Sequence, residues 1–89
     1  MNSQLSIDQL VAVQLKGDRF LRLLGEGSCG VVVKCRHTLL DVVSVLKVND
    51  RKTIGKREVK GLRSVQGHPN IVTFYGAWTF KNIHVIRME

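Results

Sequence analysis

The chain reads as an α+β domain: a five-stranded antiparallel sheet with one packed helix. Three observations predict this. Runs rich in β-branched residues recur at Val31-Val32-Val33, at Val42-Val43-Ser44-Val45 and from Ile83 to Met88, the composition of a pleated, half-buried surface. Short polar breaks separate most of the runs, and short links make antiparallel neighbours. One segment, Arg57 to Val65, instead places Val59, Leu62 and Val65 at three-residue spacing, which is a helical recurrence.

The elements follow in order. Ser6-Ile7-Asp8-Gln9 has the form of a capping box, with Ser6 as N-cap. A short helix can follow and end near Gly17, although Val11 and Val13 alternate as a strand would. Residues 1–19 are therefore set apart as an N-terminal extension, and residues 20–89 as the domain proper. Phe20 to Leu24 form a first strand, Val31 to His37 a second and residues 42–48 a third, with a turn from Thr38 to Asp41. Asn49 to Gly55 read as a loop before the helix. Gly67-His68-Pro69-Asn70 breaks that helix. Ile71 to Phe80 is a fourth strand, Lys81-Asn82 a tight turn, and Ile83 to Met88 a fifth strand.

Eighty-nine residues make one small domain with a thin core. The formal net charge of +7 favours anionic partners. Five basic residues, Arg51, Lys52, Lys56, Arg57 and Lys60, fall within ten positions, and the simple account is a solvated helix face. No aromatic stacking pattern accompanies them, so direct nucleic-acid binding is not expected. The two cysteines, Cys29 and Cys35, lie about 20 Å apart on one extended segment, too far for a disulfide. Two isolated cysteines make no zinc site, and no metal-ligand set is read. Reduced thiols suit the cytosol or nucleus. Met1 to Gln4 carry no basic leader, and no apolar run is long enough for a membrane span.

The chemistry concentrates in Leu24-Gly25-Glu26-Gly27-Ser28-Cys29-Gly30-Val31-Val32, followed by Lys47 seventeen residues after Gly30. The segment fits G-x-G-x-x-G-x-V. A dinucleotide-binding turn would need a helix straight after the glycines. Here Val31-Val32-Val33 follows, so the glycines lie in a hairpin that can fold over phosphates and offer backbone N–H groups. Lys47 ends an apolar strand, where an unpaired cation is costly unless it snorkels to solvent. Glu58 lies eleven residues on, on the helix side that carries Val59 and Leu62. It can pair with Lys47 if the helix packs on the sheet.

Taken in order, these residues resemble the amino-terminal lobe of a protein kinase domain. The resemblance spans about residues 20–89. It rests on Gly25 to Val32, Lys47, Glu58, the turn His68-Pro69-Asn70-Ile71-Val72 and the ending Arg87-Met88-Glu89. It implies an ATP site. The amides around Ser28, Cys29 and Gly30 would cover the β- and γ-phosphates, with Gly25 and Gly27 in the same loop. Lys47 would bind the α- and β-phosphates and be held by Glu58. Leu24, Val32 and Val45 would sandwich adenine, Met88 would be the gatekeeper, and the Glu89 carbonyl would accept the adenine amino hydrogen. Leu62 and Phe74 would belong to the regulatory hydrophobic stack.

Some residues depart from the family pattern. Val45 stands where alanine is usual, which tightens the adenine roof, and Cys29 replaces a common aromatic. Gly55 and Gly61 weaken the helix, and the spacing from Lys47 to Glu58 is short. Within the family, Lys56 to Leu62, Phe74-Tyr75-Gly76-Ala77-Trp78 and Ile86 to Glu89 resemble the kinases of translation initiation factor 2 alpha. The catalytic aspartate and the magnesium-binding loop of the family are not found in these residues, so the chain alone is expected to be inactive. Magnesium would join ATP only in a complete serine/threonine kinase domain. The alternative is a non-catalytic product that acts by binding, for example by pairing with the amino-terminal lobe of a full-length kinase. A cytoplasmic location is expected.

Overall fold

In the computed structural model, residues 5–89 are described; Met1 to Gln4, read above for a leader, lie outside the described residues. The elements are α1 (Ile7–Gln14), β1 (Asp18–Gly27), β2 (Gly30–His37), β3 (Val43–Asn49), α2 (Lys52–Ser64), β4 (Phe74–Phe80) and β5 (Ile83–Met88). The five strands form one antiparallel sheet in the order β1-β2-β3-β5-β4. The α+β class and the antiparallel sheet therefore stand as the sequence predicts.

Alternation in the strands sorts the side chains onto two faces. Val31, Val33 and Cys35 of β2, Leu46 and Val48 of β3, and Ile83 and Val85 of β5 point to one face and form the core with Ala12 and Val13 of α1. The helix that covers this face is the one predicted at the N-terminus. Its capping box is formed, with the Gln9 N–H donating to Ser6 Oγ and the Ser6 N–H donating to Gln9 Oε1, both at 3.0 Å. The strand alternative for Val11 and Val13 does not occur. The sheet thus packs against two helices, one on each side, where the sequence predicted one. The Trp78 indole N–H donates to the Ala12 carbonyl at 2.8 Å and ties α1 to β4.

Three boundaries are corrected. The first strand runs from Asp18 to Gly27, so it begins inside the segment set apart as an extension and takes in Gly25 and Gly27 of the loop, which pair with Val32 and Gly30. The second helix begins at Lys52, so Gly55 is inside α2 and not in a loop. No side chain caps its N-terminus, which removes the usual signal for a helix start. The helix extends because Gly55 and Val59, one turn apart, are both buried against the sheet. The fourth strand begins at Phe74 and not at Ile71. Here Gln66 intervenes: its amide N–H group donates to the Leu62 and Val72 carbonyls, each at 3.1 Å, and its Oε1 accepts from the Phe74 N–H at 3.0 Å. The turn through Ile71 and Val72 is held by that side chain, so those two β-formers never enter the ladder.

Candidate functional site

The second face of the sheet carries the predicted site residues. Lys47 lies opposite Val32 on β2 and Ile86 on β5, and Val45 lies opposite Lys34 and Met88. Val32, Val45, Lys47 and Met88 therefore share one face. α2 covers the part of this face nearest β5, where Val59 and Ile86 are buried. The rest stays open beneath the β1–β2 hairpin.

That hairpin turns through Ser28 and Cys29, with Gly27 opposite Gly30. The Asp50 N–H donates to the Cys29 carbonyl at 2.8 Å and fixes the tip to the end of β3. Residues 25–32 then line an open groove of about 450 Å³ with Lys47, Val48 and Asn49. Gly25, Gly27, Ser28, Cys29, Gly30, Val32 and Lys47 are thus gathered in one place. Leu24 is exposed at the strand edge of the hairpin and does not line the groove. Val45, Met88 and Glu89 also lie outside it, on the same sheet farther toward the end of β5.

Lys47 Nζ donates to Glu58 Oε2 at 2.6 Å. The short link works because β3 ends at Asn49 and α2 starts at Lys52, so Glu58 falls in the second turn of the helix and faces back to β3. Asn49, which sequence reasoning missed, donates from Nδ2 to the other oxygen, Glu58 Oε1, at 3.4 Å. It is buried, and its amide holds the carboxylate from the side that Lys47 does not. Both charged side chains of the pair keep about a third of their surface exposed, 37% for Lys47 and 30% for Glu58. A pair this wet adds no more than about 1 kcal/mol. Glu58→Gln is accordingly expected to change the unfolding free energy by at most about 1 kcal/mol in urea titration; a loss of several kcal/mol would contradict this account.

Leu62 and Phe74, the predicted stack members, are both half-buried. The Arg63 guanidinium lies 5.3 Å from the centre of the Phe74 ring. On the opposite face sits a buried ion pair that no local pattern announced: Arg87 bonds Asp18 through both guanidinium arms and donates to Ser44 Oγ at 3.0 Å. The buried Cys35 lies near this pair. Burial, with the Asp18 charge adding to it, pushes its thiol up to about 12 against a smaller opposing effect of Arg87, so Cys35 is inert. Cys29 is exposed at the hairpin tip. Among the described residues no cluster of His, Cys, Asp and Glu could hold a metal, and no helix is long and apolar enough to cross a membrane.

A five-stranded antiparallel sheet with a lysine on its third strand, paired to a glutamate on the following helix, is kinase-like, and the fold is consistent with a kinase amino-terminal lobe. No protein-family model matches the chain. It is similar to a probable protein kinase of Dictyostelium discoideum, with 36% identity over 76 residues. The match covers 78% of this chain and 8% of the relative, so the chain spans a small part of the protein it resembles.

Proposed function

We propose that this chain is the ATP-binding part of a serine/threonine protein kinase domain. The observation that carries the reading is the Lys47–Glu58 pair, 2.6 Å long, at the edge of the groove under the glycine hairpin. Lys47 lines the groove with its charge held in place by Glu58 and, through Glu58, by Asn49. An anion that enters meets that ammonium and the backbone N–H groups of the Ser28-Cys29-Gly30 turn, with no large side chain between. In this reading ATP places its phosphates there. Val32 and Val45 supply an apolar surface for the adenine, and Met88 and Glu89 border its far end. Leu24 contributes from the hairpin edge once the ring is in place. Magnesium would enter with ATP only where the rest of a kinase domain provides ligands for it.

The groove is open on one side, and a tight nucleotide site encloses most of its ligand. Titration calorimetry with ATP is expected to give an affinity weaker than about 1 μM, that is, less than about 8 kcal/mol of binding free energy. Lys47→Met is expected to reduce it tenfold or more, about 1.4 kcal/mol. ATP binding that Lys47→Met leaves unchanged would overturn the reading. The same chain is expected to transfer no phosphate to a protein substrate. Of the kinases, those of translation initiation factor 2 alpha are the subgroup that the Lys56–Leu62 and Phe74–Trp78 segments favour. A cytoplasmic location suits a chain with two free thiols, and a second kinase amino-terminal lobe is the protein partner we favour.

A further inference from the structure

We propose that His84 is a proton-sensitive latch for α2: the neutral ring lets α2 sit on the sheet, and protonation releases the helix and breaks the Lys47–Glu58 pair. The consequence for nucleotide rests on the function proposed above; the latch itself does not.

His84 lies on β5 opposite Asn49 of β3 and Thr79 of β4. It is only 5% exposed, and Nδ1 has no hydrogen-bond partner. α2 presses on it at Gly55, where even a methyl group would come within 2.5 Å of both Cβ and Nδ1. A glycine at this point of the helix costs up to about 1 kcal/mol relative to alanine. It is the one residue that lets the helix backbone approach this ring. A neutral imidazole with its proton on Nε2 turns only a lone pair toward the helix. Protonation adds an N–H at Nδ1, against a backbone that offers no acceptor.

The charged groups around the ring sharpen the effect. α2 brings Lys56 and Glu58, β3 brings Lys47 beyond Asn49, and β4 has no charged residue. Burial is the main cause that holds the His84 pKa below the usual 6.5; Lys56 lowers it further and Glu58 opposes both. The unfolded chain therefore takes up this proton first. Docking of α2 is complete above about pH 6.5 and weakens as the pH falls from there toward the folded-state value. Among the described residues Glu58 is the one anion that acts on the ring, and it already holds Lys47. As α2 lifts it carries Glu58 away from β3, and Lys47 loses its partner.

The experiment is an NMR titration of the labelled chain between about pH 8 and about pH 5. The His84 ring, the α2 amides and the Lys47 side chain are followed together. All three are expected to move with one midpoint below 6.5. His84→Gln is expected to remove the change in α2, and His37→Gln and His68→Gln to leave it in place. A change in α2 that persists in His84→Gln, or an α2 that stays docked while the His84 ring titrates, would overturn the latch. If the glutamine variant does not fold, the parent chain decides alone: separate midpoints for His84 and Lys47 refute the proposal. ATP affinity, measured in parallel at the high-pH end, tests the nucleotide reading independently, since the latch can be present in a chain that binds no ATP.

Discussion

Replacing Gly30 with alanine is expected to cost about 3 kcal/mol or more, whereas the same change at Gly25 or Gly27 leaves stability within about 1 kcal/mol of the parent. The three glycines look alike in the motif, but the structure separates them. Gly30 has φ +150°, a conformation that L side chains rarely adopt, and its added Cβ would lie 1.8 Å from the Val48 carbonyl oxygen. That neighbour is backbone near the end of β3, so the hairpin would have to lift away from it. Around Gly25 and Gly27 a Cβ would meet nothing within 4 Å. Their lack of a side chain serves no contact inside the protein. It leaves the groove side of the hairpin clear, which is what a phosphate would need. Gly25→Ala and Gly27→Ala should therefore fold normally and, in the function proposed above, bind ATP more weakly. Chemical denaturation and calorimetry on the three variants read the two effects separately. A Gly30→Ala chain as stable as the parent would refute the assignment.

How much of this was legible from the sequence depended on the range of the interaction. The strands were legible because β-branched residues crowd into Val31-Val32-Val33, Val42 to Val45 and Ile83 to Met88, with short polar breaks between them. α1 was legible because Ser6 and Gln9 cap it locally. The Lys47–Glu58 pair was legible because a strand end and a helix face eleven residues apart leave few geometries. The start of α2 was not legible. Arg51 provides no cap, and Gly55 looks like a breaker until His84, 29 residues later in the chain, is seen to need it there. The start of β4 failed for a similar reason, since nothing in Ile71 or Val72 shows that the Gln66 amide will hold them in a turn. Asn49 could have been suspected, as a polar residue that ends an otherwise apolar strand just after Lys47. Asp18 could not. Its partner is 69 residues away, and no spacing rule reaches that far.

Asp18→Asn is expected to cost about 3–5 kcal/mol, the usual penalty for leaving one member of a buried ion pair without its partner. The Asp18 side chain is fully buried and that of Arg87 is only 18% exposed. With the charge gone, the guanidinium keeps its hydrogen bond to Ser44 Oγ, its stacking over Trp78, 5.2 Å from the ring centre, and one bond to the asparagine carbonyl oxygen, while the new NH2 group faces it donor to donor. None of these offsets a desolvated charge. In a domain this small, about 3 kcal/mol corresponds to a drop in melting temperature of roughly 12–24 °C. The loss should also reach the candidate site, because Arg87 precedes Met88 on β5 and anchors the end of that strand to β1 across the α1 face. The double variant Asp18→Leu with Arg87→Met separates charge from packing. Two apolar side chains of similar size remove both charges together, and stability should return to within about 1 kcal/mol of the parent or exceed it. Thermal and urea unfolding of Asp18→Leu alone, Arg87→Met alone and the double variant close the cycle. A nearly unchanged Asp18→Asn, or a double variant that loses as much as the two single variants added together, would show that the ion pair does not hold β5 in place.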